Sequence, residues 1–247
     1  MASPEQRIVL ITGANQGLGY EAVKKLAAEH PNNTILLGSR NIDNGIKAAE
    51  SITKIQPGTV IKPIQIAVDS DSSIAAAVET VTAEYGRLDV LFNNAGIGTA
   101  TGSPREEFLK ILEVNAVSAA LVTDAFLPLL KKAKVPRILF MSSGLGSISL
   151  NIDPSFPYYG TIDNKAYLTS KAAMNMIAVF YAVQLGKEGF KVNAINPGFC
   201  QTNLTGYAEA AMPADQGIIE SVQLIVDDDP NGQTGKFQST GGQHLPW

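Results

Sequence analysis

Tyr167 and Lys171 stand four residues apart in a helically spaced segment, so their side chains share one helix face. A free phenol has a pKa of about 10 and is a poor proton donor or acceptor near neutrality. A nearby ammonium stabilises the phenolate and lowers that value. Such a pair can exchange a proton with a carbonyl or alcohol oxygen while a hydride joins or leaves its carbon. Tyr-x-x-x-Lys also occurs on ordinary surface helices, so it needs further groups around it before it implies chemistry.

A second signal is the turn Thr12-Gly13-Ala14-Asn15-Gln16-Gly17-Leu18-Gly19. It follows the apolar run Arg7 to Ile11 and precedes helically spaced Tyr20, Val23, Leu26 and Ala27. Glycines let the backbone bend sharply there and let a pyrophosphate approach. The following helix offers free N–H groups and a positive dipole end. A glycine trio alone is weak, but its place between strand and helix strengthens it.

The elements that must carry these groups alternate. Strands are expected at Arg7 to Ile11, Thr34 to Leu37, Val60 to Val68, Leu88 to Phe92, Arg137 to Met141 and Lys191 to Ile195, with a last one seeded at Lys236-Phe237. Pro63 blemishes the third. Helices are expected from Tyr20 to about His30, at Ile42 to Ile55, Ile74 to Tyr85, Arg105 to Leu130 in two pieces around Asn115, Asn164 to Lys187, and Ala214 to Val226. The strands are continuous apolar runs, which favours a parallel sheet covered on both faces. We read residues 1–247 as one α/β domain, a Rossmann-type doubly wound parallel sheet. Two long segments, 144–163 and 199–212, break the pattern and are expected to be functional loops.

The order of short blocks along this frame resembles the short-chain dehydrogenase/reductase family. Its nucleotide turn reads Thr-Gly-x-x-x-Gly-x-Gly, as at Thr12 to Gly19. Asn93-Asn94-Ala95-Gly96 follows the fourth strand, Asn115 lies inside a helix, and Ser142-Ser143 follows the fifth strand. Tyr167-Leu168-Thr169-Ser170-Lys171 opens the long helix. Asn196-Pro197-Gly198 follows the sixth strand, with Thr202 beyond. The resemblance runs from about Arg7 to Phe237, and the carbonyl-reductase-like branch is similar in its longer loop and its ending Leu245-Pro246-Trp247.

The resemblance implies roles. Tyr167 is the general acid in reduction and the base in oxidation. Lys171 lowers its pKa and bonds the nicotinamide ribose. Ser143 donates to the substrate oxygen and to Tyr167. Asn115 holds a water that links Lys171 to solvent, or serves as a helix-kink residue satisfying its own backbone, or does both. Gly13, Asn15, Gln16, Gly17, Leu18 and Gly19 bind the cofactor phosphates, Asn94, Ala95 and Gly96 border it, and Pro197, Gly198 and Thr202 lie along its carboxamide.

In dinucleotide folds an acid after the second strand bonds the ribose 2′-OH, whereas arginine accommodates a 2′-phosphate. Here Gly38-Ser39-Arg40-Asn41 stands there, without an acid. Ser39 can donate to phosphate and Arg40 can pair with it through two N–H groups, so NADP(H) is expected over NAD(H). The alternative for Arg40 is a solvated surface charge. Some NADP-dependent relatives add a basic residue inside the glycine turn, where this chain has Asn15 and Gln16. Val68 and Asp69 are assigned to the adenine pocket.

Ser143 and Tyr167 are 24 positions apart, more than in compact members of the family. Leu145, Tyr158, Tyr159, Phe199 and Leu204 are assigned to an apolar pocket for a hydrophobic ketone or aldehyde. Equally, these aromatics could be loop anchors or subunit contacts. A homodimer or homotetramer through the long helix is expected. The leading reading is an NADPH-dependent carbonyl reductase; the alternative is a catalytically silent NADP(H)-binding regulator. An epimerase of the extended branch needs a larger C-terminal domain, and only 49 residues follow Gly198.

Composition excludes other classes. The net charge of −4 and the lack of a Lys/Arg run argue against nucleic-acid binding. One cysteine, Cys200, excludes an internal disulfide and a cysteine zinc cluster, and His30 and His244 offer little for a metal site or a serine–histidine triad. No metal is expected. The polar start, Met1 to Arg7, does not read as a leader, and no run is judged to approach the ~20 apolar residues that span a bilayer. A soluble, cytoplasmic protein is expected.

Overall fold

The computed structural model describes residues 6–247, so the reading of the polar start falls largely outside it. Among the described residues the strands are β1 (Arg7–Ile11), β2 (Asn33–Ser39), β3 (Val60–Gln65), β4 (Val90–Asn93), β5 (Arg137–Met141), β6 (Lys191–Asn196), β7 (Lys236–Ser239) and β8 (Gln243–His244). They form one sheet in the order β3-β2-β1-β4-β5-β6-β7-β8. Every pairing is parallel except β7 with β8.

Side chains of each central strand alternate between two cores. Ile8 and Leu10 of β1 enter one, Val9 and Ile11 the other. Both faces are covered, which is why the strand reads as an unbroken apolar run. One face carries α1 (Gly17–Glu29), α2 (Ile42–Glu50) and α9 (Ile219–Val226). The other carries α3 (Asp71–Tyr85), α5 (Ser118–Leu130) and α7 (Lys165–Leu185). α4 (Pro104–Leu112) precedes α5, and two short helices, α6 (Ile148–Asn151) and α8 (Ala214–Gly217), lie in the long loops. The strand order reverses between β1 and β4, which opens a crevice at the C-terminal ends of the strands.

Several boundaries differ from the sequence reading. α2 ends at Glu50, not Ile55. The chain leaves the helix so that Gln56 can donate to the last carbonyls of α1, from its backbone to Ala27 and from its side chain to Ala28. β3 stops at Gln65 instead of Val68 and tolerates Pro63 because it is an edge strand. The Ala214 to Val226 segment is broken around Ile218. At Gly217 an added Cβ would meet the Cys200 sulfur and the Pro197 carbonyl.

The run Pro104–Leu130 bends through one wide π turn at Glu113–Val117, so the expected two pieces around Asn115 are there. Contrary to the sequence reading, this run is long and apolar enough to cross a membrane by length and composition. Half of its apolar window is buried in the domain, and Val122, Phe126 and Leu130 are fully enclosed. That buried half belongs to the core, while Leu109, Val117 and Leu121 are exposed.

Arg137 is the largest fully enclosed polar side chain, at 2% exposure. It donates to the Ile225 and Asp227 carbonyls and, with Arg7, clamps the Asp228 carboxylate. The two arginines start β1 and β5, so they tie the end of α9 to the lower edge of the sheet, away from the crevice.

Candidate active site

The turns after β1 and β4 are locked together. Thr12 Oγ1 accepts from the backbone N–H groups of Asn94 (3.0 Å) and Ala95 (3.1 Å), and the Asn94 amide donates to the Thr12 carbonyl at 2.8 Å. Two glycines make this approach possible. Gly13 has φ +62° and a Cβ there would sit 2.9 Å from the Ala95 Cα. A Cβ on Gly19 would sit 2.4 Å from the Asn94 amide nitrogen. No side chain caps the start of α1, which leaves its first N–H groups free for a ligand.

A cleft of about 410 Å³ runs along this edge. Gly13, Asn15, Gln16, Gly17 and Leu18 line it at the first turn, with Ser39, Arg40, Val68 and Asp69 at one end. Asn94, Ala95 and Gly96 form its floor, and Ser143, Tyr167, Lys171, Pro197, Gly198, Thr202 and Leu204 its other end. Most of the residues singled out in sequence therefore converge. Gly19 and Asn115 lie behind the cleft wall. Leu145, Tyr158, Tyr159 and Phe199 are not among its lining. Tyr158 instead packs edge-on against Phe156 at 5.4 Å, which favours the loop-anchor reading for that ring.

Two residues expected at the cofactor end line the cleft with their side chains already engaged. The Ser39 hydroxyl is committed to the Asn41 carbonyl at 2.7 Å, because β2 turns there into the cap of α2. The Asp69 carboxylate is paired with Lys110 Nζ at 2.8 Å, and Lys110 also reaches Glu113 at 3.0 Å. Lys110 and the nearby Arg40 guanidinium hold the Asp69 carboxyl below its ordinary value. Arg40 itself is exposed on the cleft rim.

At the other end the reacting groups are built by β5 and α7. Asn164 caps α7 by accepting from the Tyr167 N–H at 3.0 Å, and its amide donates to the Gly98 carbonyl. Lys171 is 3% exposed and donates to the Met141 carbonyl at 2.7 Å. Gly96 packs closely on Asn115, since a Cβ there would lie 3.2 Å from its Oδ1. The loop after Ser143 crosses α7 so closely that a Cβ on Gly146 would lie 2.7 Å from the Lys171 backbone.

The expected depression of the phenol by Lys171 is not what these side chains produce by themselves. Burial pushes Tyr167 up to about 12, and the Ser143 hydrogen bond works against that rise. Burial also lowers Lys171 to about 8. Desolvation outweighs their mutual effect because Nζ turns to Met141 and stays 5.6 Å from the phenol ring centre. Asn115 does not satisfy its own backbone. Its Oδ1 accepts from the Ile97 N–H at 2.8 Å, and its Nδ2 donates to the Ile97 carbonyl and to Ser170 Oγ, both at 2.9 Å.

Among the cleft residues that the sequence reading did not assign, two make long-range contacts. Lys110 was not singled out, since nothing local ties it to Asp69. Asn203 donates to Gln16 Oε1 at 2.9 Å, joining the 199–212 loop to the glycine turn across 187 residues. Gln16 was marked by the glycine turn, but no local signal marks Asn203 as its partner.

The family model for short chain dehydrogenases matches residues 7–213. A short-chain dehydrogenase of Penicillium roqueforti is 36% identical over 246 residues, covering 96% of this chain and 95% of the relative. A short-chain dehydrogenase/reductase of Talaromyces stipitatus is 30% identical over 267 residues, covering 100% of both. Among solved structures, the NADPH-bound carbonyl reductase from chicken fatty liver superposes with a TM-score of 0.81 at 25% identity, covering 98% of this chain and 100% of that one. The chain belongs to the short-chain dehydrogenase family and is an oxidoreductase of that family, whose members use nicotinamide cofactors and small-molecule substrates.

Proposed function

We propose that the protein is a cytoplasmic, NADPH-dependent reductase of hydrophobic ketones or aldehydes. The observation that carries this reading is one continuous cleft with Arg40 at one end and Ser143, Tyr167 and Lys171 at the other. The likeness to an NADPH-bound carbonyl reductase supports it.

A nicotinamide cofactor fits the residues present: the tight Gly13 turn and the uncapped start of α1 suit its diphosphate, and Arg40 suits a 2′-phosphate. When bound, it supplies or accepts the hydride. The chain's own groups handle the oxygen. Ser143 donates to the substrate oxygen and orients it, and Tyr167 delivers the proton as charge develops there. The Lys171 ammonium stabilises the phenolate that remains. Apolar Leu204 and Val114 line the same cleft.

NADPH consumption against aryl ketones, aldehydes, quinones and small diketones tests the reading. Turnover of aryl ketones above small polar ones is expected. NADPH binding with no turnover on the whole panel would replace the reading with a silent regulator.

The protein is also read as self-associating. Met176, Phe180 and Val183 of α7 are more than half exposed, and Leu121 of α5 is exposed nearby. Tyr181 joins the two helices through Asp124, so these side chains belong to one face. Light scattering should return at least twice the mass of 26.2 kDa, and a monomer at micromolar concentration would refute this.

A further inference from the structure

We propose that Asn175 is a positioning residue for the reacting groups, acting through the Ser142 hydroxyl to hold the end of β5 in register against α7. The inference rests on the reductase reading of the site.

Three consecutive residues at the end of β5 are joined to three successive turns of α7. Ser143 faces the Tyr167 phenol across the cleft, close enough to work against the rise that burial causes there. The Met141 carbonyl accepts from Lys171 Nζ at 2.7 Å. Between them, the Ser142 hydroxyl donates to Asn175 Oδ1 at 2.5 Å. Tyr167, Lys171 and Asn175 stand at i, i+4 and i+8, a single ridge of the helix. The first two contacts belong to groups assigned to the reaction. The third contains no such group, yet it fixes the residue that connects the other two.

Burial makes this third contact specific. Ser142 is 2% exposed and Asn175 is 4% exposed, so bulk water cannot replace either partner. Asn175 Nδ2 has no hydrogen-bond partner among the described residues. A buried amide with an idle N–H is unfavourable, and an apolar side chain would serve packing better. The amide has a use where its oxygen restrains Ser142. If Ser142 is released, the Met141 carbonyl and the Ser143 hydroxyl can drift relative to α7. Misplacement by ~1 Å is enough to cost up to about 10²-fold in rate.

The test compares Asn175→Ala, Ser142→Ala, their double variant and Asn175→Asp, which keeps an acceptor for Ser142. Each alanine variant should lower kcat about tenfold while the Kd for NADPH stays within about twofold. The double variant should lose no more than the worse single, and Asn175→Asp should recover most of kcat. A kcat within twofold of wild type in Asn175→Ala, additive losses in the double variant, or no recovery with aspartate would each overturn the proposal. If Asn175→Ala does not fold, Ser142→Ala decides, and failure of both to fold overturns it in favour of a structural role.

A second readout needs no substrate. The titration of Lys171, followed by NMR on labelled lysine, should move up from about 8 in Ser142→Ala, as water reaches the loosened ammonium. An unmoved titration overturns the positioning role. Absence of NADPH-linked turnover in the wild type, with this shift present, would overturn the reductase reading alone.

Discussion

Replacing Tyr167 with phenylalanine is expected to lower turnover by about 10³- to 10⁴-fold and to leave NADPH binding within about twofold of wild type. The substitution removes one oxygen and keeps the ring. Tyr167 is the hydroxyl that Ser143 faces, on a side chain lining the cleft beside Lys171. Neutral Tyr167 holds its proton firmly, since burial raises it to about 12, so near neutrality it is present as the acid. Phenylalanine can neither deliver that proton nor complete the contact with Ser143. The ring still packs, so the fold and the cofactor groove should persist. Stopped-flow turnover together with fluorescence titration of NADPH separates the two effects. Turnover within tenfold of wild type would remove Tyr167 from the proposed chemistry.

Arg40→Asp should reduce kcat/KM with NADPH by about 100-fold and leave kcat/KM with NADH unchanged or improved. The reason is elimination among the cations that line the cleft. Lys171 is buried at the opposite end, and Lys110 is held by Asp69 and Glu113. Ser39, the other group expected to meet a 2′-phosphate, spends its hydroxyl on Asn41. Asn15 and Gln16 in the glycine turn are neutral. Arg40 is therefore the residue on which the proposed preference for NADPH rests. An aspartate at the same strand end would repel a phosphate and accept from a ribose 2′-OH. Parallel assays with both cofactors measure this directly. Equal losses with NADPH and NADH would assign Arg40 to the fold of the rim instead.

Local patterns carried most of the frame. The apolar run at Arg7 to Ile11, the glycine turn after it and the helix that follows are neighbours in the chain, and their interactions are short-range. Tyr167 and Lys171 could be paired on paper because four residues make about one helical turn. Asn175, a further turn along, lay on the same ridge, but its partner Ser142 is 33 positions away. Errors gathered where distant groups decide. α2 stops early because Gln56 serves the end of α1. Tyr158 and Tyr159 were assigned to the pocket because their loop is long and aromatic; neither lines the cleft, because where that loop lies against the sheet edge is decided by packing, not by its own residues.

The amino-acid sequence, then, was enough to establish the family, the alternation of strands and helices and the identity of the groups that meet in the cleft. Each of those is written in spacing and residue type over a few consecutive positions. Tertiary structure decided how those groups are tuned and held. Burial, not the lysine, governs the Tyr167 phenol, and Lys171 turns to the Met141 carbonyl. Desolvation and hydrogen-bond competition depend on everything that surrounds a side chain, and that environment is assembled from segments far apart in the chain.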